Sequence, residues 1–190
     1  TTFIIEGIGA VIMSFVFIPQ FGWIQGIWYS IFHSISAFCN AGFDLMGVVE
    51  PFSSVTSYVG NPDISITIML LIIIGGLSFM TWDDIARNHF HIRKYSVQSK
   101  LILTATALLI FLPTAYFFFF EFQDMPLLSR TLASFFQAVS PRTAGFNSVD
   151  LTKMSDTGKF VQLVLMLIGG APGSTAGGMK TTTFMVMIAS

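Results

Sequence analysis

Two stretches decide the fold: Phe32-His-Ser-Ile-Ser-Ala-Phe-Cys-Asn-Ala-Gly-Phe-Asp-Leu-Met46 and Ser140-Pro-Arg-Thr-Ala-Gly-Phe-Asn147. Both contain the same turn, Ala41-Gly42-Phe43 and Ala144-Gly145-Phe146. The two glycines lie 103 residues apart (145 − 42), and Phe32 and Phe135 keep that offset in the short apolar stretches before each turn. Further out, each copy has one order of parts. An apolar segment leads into the short stretch and the turn, then a polar stretch, then a segment holding Ile-Gly-Gly, at Ile74-Gly75-Gly76 and Ile168-Gly169-Gly170. A tripeptide can recur by chance, but a whole order of parts marks an internal repeat.

Composition places the repeat in a bilayer. Of 190 residues, 53% are hydrophobic and 10% charged, and 21 are Phe, against about 25% charge in an ordinary soluble domain. The net charge of −1 leaves no basic excess for phosphates and argues against a nucleic-acid partner. Cys39 is the single cysteine, so no intrachain disulfide can form. Apolar segments occupy residues 1–18, 64–82, 101–120 and 160–170, the last resuming after a Gly-rich break at 179–190. A span needs about 20 such residues. Residues 1–18 lack the basic flank and cleavage site of a secretory signal. The final stretch reads as a helix cut mid-span, so the expectation is a piece of a larger protein. Trp23–Phe38 and residues 126–139 are too short to cross and suit re-entrant helices, with Pro126 fitting a first helical turn.

The expected fold is therefore an all-α membrane protein of repeated helix–pore loop–helix hairpins. Residues 1–82 form one unit, 83–100 a link, and 101–190 a second unit whose last helix is broken. The link carries Arg87, Arg93, Lys94 and Lys100, which puts it on the cytoplasmic side. A short helix entering from outside brings its negative C-terminal end to mid-membrane. A turn after it can aim bare carbonyls at a dehydrated cation. Gly42 and Gly145 suit such a turn, because positive φ favours glycine. The alternative is that each merely caps its helix, but repetition in a matching context favours the filter.

The two turn sequences, together with Gly169-Gly-Ala-Pro-Gly-Ser-Thr-Ala-Gly-Gly-Met-Lys-Thr-Thr-Thr183, resemble the ion-translocating subunit of the Ktr potassium-uptake systems, in the Trk/Ktr/HKT superfamily. The resemblance implies four hairpins around one pore, of which this chain covers the second and third. It implies a filter at Asn40, Ala41, Gly42, Phe43, Thr143, Ala144, Gly145 and Phe146, with K+ held by backbone carbonyls. It also implies a gate loop under the filter, here Gly169, Gly170, Pro172, Gly173, Ser174, Thr175, Gly177 and Gly178. Glycines and Pro172 at this density cannot sustain a helix; a plain loop at the membrane edge is the other reading. Lys180 is a charge near membrane depth, placed either to tune the potential below the gate or to snorkel to the cytoplasmic edge. Cys39 departs from the polar residue expected there. By resemblance the full-length subunit is a homodimer in the plasma membrane, multi-pass and lipid-embedded. It would work with a cytoplasmic nucleotide-binding regulatory subunit, use no cofactor, and be open to stimulation by Na+.

Rival classes fit less well. Gly173 to Gly178 has the spacing that opens a phosphate-binding loop, but Met179 stands where lysine is required, and an apolar helix precedes it rather than a strand. Ser174 lacks the G-x-S-x-G context of a hydrolase, with Pro172 and Ala176 in the flanking positions, and His33, His89 and His91 are distant in sequence. His33 reads as a packed helix residue. A non-conducting scaffold would leave the repeated glycine turn unexplained. The chain is accordingly read as a transporter rather than an enzyme.

Overall fold

The computed structural model describes residues 2–48, 51, 53–89 and 91–189. Helix α1 (Thr2–Phe21) has 20 residues, about 30 Å of helix and the depth of a hydrocarbon core. Its buried residues Gly9, Met13 and Phe17 recur every four positions and so share one stripe. Phe3, Ile4, Ile8 and Phe15 stand exposed around the rest of it. Gly22, at φ +82°, reverses the chain into α2 (Trp23–Phe38). The Ser34 hydroxyl donates to the Glu6 carbonyl at 2.6 Å, tying α2 back along α1. Close approach over small residues is how helices pack where water exclusion offers little drive.

Helix α3 (Pro62–Gly76) starts at an Asn61 cap whose side chain accepts from the Ile64 N–H. The continuous span expected over residues 64–82 is not what forms. The helix stops at Gly76, and α4 (Phe79–Asn88) leaves at 97°. Leu77 and Ser78 are extended there, and the Ser78 hydroxyl accepts from the Met80 N–H to cap α4. The Gly75 and Gly76 carbonyls accept from Thr175 and Ala171, so the bend is held by a segment about 100 residues away. The expected link thus begins inside α4, which Asp84 pins to the next helix by accepting from the Ser96 and Ser99 hydroxyls and the Ser96 amide.

Helix α5 (Val97–Tyr116) passes Pro113 and runs on through a π turn, giving 25 residues long and apolar enough to cross a membrane. Helix α6 (Leu127–Val139) follows, with Pro126 at its cap in an extended conformation rather than inside the first turn. Helix α7 (Asp156–Leu167) and helix α8 (Thr181–Ala189) flank the Gly-rich break. The fourth apolar segment is a pair of helices with the break between them; α7 starts earlier than residue 160, and Ser190 lies outside the described residues. Gln162 of α7 donates to Gln137 of α6 at 2.7 Å, and Gln137 reaches the Ser148 hydroxyl at 3.3 Å. Among the described residues the only β-type pairing is an isolated bridge between Ile168 and Met179.

One core joins the two units. Phe136 and Phe146 from the second pack with Met13, Phe17, Ala37, Ile64 and Ile68 from the first. A second cluster, with Phe117, Ala133, Val149 and Leu165, fills the second unit.

Candidate ion-binding site at the two glycine turns

Helix α2 ends at Phe38, capped by Cys39, and α6 ends at Val139, capped by Ser140. Each ends just before a turn, so each directs the negative end of its dipole there. The backbone passes through positive φ at Asn40 (52°) and Gly42 (72°), and again at Thr143 (80°) and Gly145 (95°). The same left-handed pair therefore recurs on either side of each alanine. The Ala41 N–H donates to the Ser36 carbonyl at 2.9 Å, and the Ala144 and Gly145 N–H groups donate to the Ser140 carbonyl at 3.1 and 2.9 Å. The same serines close the turns from the other side: Ser36 Oγ donates to the Phe43 carbonyl at 2.7 Å, and Ser140 Oγ to the Phe146 carbonyl at 2.6 Å. These serines were missed in the sequence. A serine six or seven residues before each phenylalanine was the available signal.

The two turns meet. A Cβ added to Gly42 would lie 1.8 Å from the Ala144 carbonyl oxygen and 3.3 Å from Gly145 Cα. Only a hydrogen fits at that contact, so Gly42 is required by approach as well as by φ. A Cβ on Gly145 would meet nothing within 4 Å, which leaves its exposed face open. Among the described residues, the carbonyls of Asn40, Ala41, Gly42, Thr143, Ala144 and Gly145 accept no hydrogen bond. Unpaired backbone carbonyls are uncommon where the residue is buried, as Asn40 and Ala144 are, whereas Ala41 and Gly145 are exposed; all six sit in two abutting turns. The Phe43 and Phe146 carbonyls each keep one lone pair beside their serine hydroxyl. Their rings differ: Phe146 is 1% exposed and Phe43 71%.

His33 is wholly buried and fully bonded. Its Nδ1 lies 2.7 Å from the Tyr29 carbonyl, and the Leu45 amide donates to Nε2 at 3.3 Å. It is a brace between α2 and the segment leaving the first turn, with ring contacts to Phe17 and Phe146.

The Gly-rich segment forms a pinched loop. The Gly169 amide donates to the Met179 carbonyl at 2.9 Å and the Thr181 amide to the Gly170 carbonyl at 3.1 Å. Gly169 presses on Gly177, where a Cβ would sit 1.9 Å from a carbonyl oxygen. Ser174 Oγ donates to the Ala171 carbonyl at 2.6 Å, which occupies the serine inside its own loop. The loop docks on the α3–α4 elbow through Ala171 N–H to Gly76 O (3.0 Å), Thr175 N–H to Gly75 O (3.1 Å) and Phe79 N–H to Gly173 O (3.1 Å). The two Ile-Gly-Gly motifs therefore touch, one as an elbow and one as the neck of the loop.

Thr175 carries this docking up to the first turn. Its Oγ1 lies 2.9 Å from both the Phe38 and Gly75 carbonyls and accepts from Asn40 Nδ2 at 3.0 Å. Pro172 and Gly173 lie on the loop's outer bend, with Gly173 at φ +69°; Gly178 closes it at φ +71°. The Lys180 ammonium donates to the Ala176 carbonyl at 2.8 Å, so it is folded back on the loop itself. Arg142 is 9% exposed beside the second turn, and its Nε finds no hydrogen-bond partner among the described residues.

The comparisons with known proteins agree with this architecture. The family model described as TrkH, a cation transport protein, matches residues 1–190. The chain is 44% identical over 190 residues to the potassium/sodium uptake protein NtpJ of Enterococcus hirae, covering 97% of this chain and 41% of that protein. It is 40% identical over 192 residues to the Ktr system potassium uptake protein B of Bacillus subtilis, covering 98% and 42%. It spans about two fifths of the length of these relatives. The crystal structure of the potassium transporter TrkH from Vibrio parahaemolyticus shares the fold, with a TM-score of 0.67 at 18% identity over 98% of this chain and 47% of that one. The chain belongs to the TrkH family of cation transport proteins.

Proposed function

We propose that this chain contributes two of the four hairpins of a potassium-conducting pore. K+ is held by the carbonyls of Asn40, Ala41 and Gly42 from one turn and Thr143, Ala144 and Gly145 from the other. Phe43 and Phe146 add their remaining lone pairs. The observation that carries this reading is the backbone contact of Gly42 with Ala144 and Gly145. It brings together two turns rich in unbonded carbonyls, each at the C-terminal end of a short helix, and such an arrangement replaces the water around a cation. The names of the relatives, potassium and potassium/sodium uptake proteins, support the choice of ion.

The loop from Gly169 to Gly178 is read as a gate. It is closed by the contacts of Ala171, Gly173 and Thr175 with the elbow. Irregular backbone at this depth is tolerated where protein or a watery cavity satisfies it; here Ala171, Gly173 and Thr175 bond to the elbow, while Ser174 and Lys180 bond to carbonyls of the loop itself. Lys180, bonded to the loop, moves with it rather than snorkelling. The complete subunit would sit in the plasma membrane as a multi-pass homodimer with a nucleotide-binding cytoplasmic partner, and Na+ would stimulate it.

Rubidium uptake into vesicles holding the full-length protein tests the reading. Gly145→Ser should weaken potassium preference over sodium while the protein stays folded, because a side chain there enters open space at a strained φ. Unaltered selectivity in that variant would remove Gly145 from the filter.

A further inference from the structure

Two residues that each carry an orphaned polar atom line one small cavity beside the glycine turns. Asn40 is 7% exposed and Arg142 9%. Asn40 Oδ1 and Arg142 Nε are both buried without a hydrogen-bond partner among the described residues. The orientation of the Asn40 amide follows from its surroundings. Its Nδ2 faces the Thr175 hydroxyl at 3.0 Å and the Phe38 and Ile72 carbonyls at 3.5 Å. A flipped amide would set oxygen against two carbonyl oxygens. Oδ1 therefore points away from them. Asn40 and Arg142 line a cavity of about 20 Å³ with Thr106 of α5, Gly76 of the elbow and Gly170 of the loop neck. A buried water needs about 10–15 Å³ and two to four polar partners.

We propose that one ordered water molecule occupies this cavity, accepting from Arg142 Nε–H and donating to Asn40 Oδ1, so that Arg142 is a positioning residue for the first glycine turn. The chemistry selects the occupant. A cation would face the guanidinium, and an anion would face a carbonyl-type oxygen. Water satisfies a donor and an acceptor at once and carries no charge. The guanidinium lies just past the C-terminus of α6, where a helix favours positive charge. No carboxylate pairs with it among the described residues. Through the water, the second hairpin would fix the Asn40 side chain. Asn40 in turn holds Thr175 of the loop, so one bridge would join both turns to the gate.

Two measurements test this. The first is a high-resolution structure of the full-length protein, with a parallel bromide soak. Density for a light atom within hydrogen-bond distance of both Asn40 Oδ1 and Arg142 Nε is expected. A bromide anomalous peak there, or an empty cavity with the two side chains in place, would overturn the water. This arm does not depend on the transport reading. The second arm does, and compares rubidium with sodium uptake in Arg142→Met and Arg142→Lys. Arg142→Met, which strands the Asn40 oxygen, should lower potassium preference about tenfold, the scale of one buried acceptor left unsatisfied. Arg142→Lys, which restores a donor, should recover most of it. Unchanged preference in a well-folded Arg142→Met protein would overturn the positioning role, while a protein with no uptake at all in its unmutated form would sink the transport reading instead.

Discussion

Replacing Thr175 by valine removes one hydroxyl and almost nothing else, since the two side chains share their shape. In the closed loop that hydroxyl accepts from Asn40 Nδ2 at 3.0 Å and donates to the Phe38 or Gly75 carbonyl, both 2.9 Å away. A hydroxyl has one proton, so two hydrogen bonds are lost, not three. At about 0.5–1.5 kcal/mol each, the closed state loses roughly 1–3 kcal/mol, or about 5- to 150-fold in the closed-to-open ratio. The low end is favoured, because Asn40 Nδ2 keeps two carbonyls within 3.5 Å. Basal rubidium uptake by full-length protein in vesicles, with no regulatory partner added, should therefore rise by at least several-fold in Thr175→Val and stay near the parent in Thr175→Ser. Uptake that is unchanged or reduced in a folded Thr175→Val protein would refute the idea that this docking keeps the path shut.

Deleting residues 173–178 should raise uptake further, since the Gly173 and Thr175 contacts with the elbow vanish together; folded but silent protein would mean that the loop supports the pore instead of blocking it. Gly42→Ala should cost far more than the roughly 1–2 kcal/mol of left-handed strain alone, because its Cβ would lie 1.8 Å from the Ala144 oxygen; a melting temperature within a degree of the parent would show that the two turns do not abut. At the α4–α5 junction, hydrogen bonds from Ser99 and then Ser96 hold the Asp84 carboxyl below its ordinary range. The charged form is the stabilising one, so the contribution is full at neutral pH and fades as pH falls through that lowered value. Asp84→Ala should lower the melting temperature at pH 7, and the gap between the two proteins should narrow below about pH 4; a gap independent of pH would assign the effect to packing.

Much of the architecture was legible in the residues. Trp23–Phe38 was bounded by its apolar content, and α2 forms with those ends. The repeated Ala-Gly-Phe turns and the Gly-rich break were visible because glycine and proline act locally, through φ and through missing hydrogen bonds. The bend at Leu77 was not legible. Residues 64–82 carry no charged side chain, and hydropathy does not register direction. What turns the chain by 97° is the capture of the Gly75 and Gly76 carbonyls by Thr175 and Ala171. Arg142 was equally hidden. Nothing in the residues beside it marks it as buried, and its 9% exposure comes from the fold around it.

The sequence by itself determined that this protein lies in a membrane, that it is built on a repeat, and which glycines sit at the turns. Those properties follow from side-chain hydropathy and single-residue dihedrals, which need no partner. Tertiary structure alone decided that Gly42 rests against Ala144 and that Thr175 ties the loop to Asn40. These contacts join residues as many as 135 positions apart. Which carbonyl meets which donor across such a distance depends on how helices pack, and no local pattern encodes it.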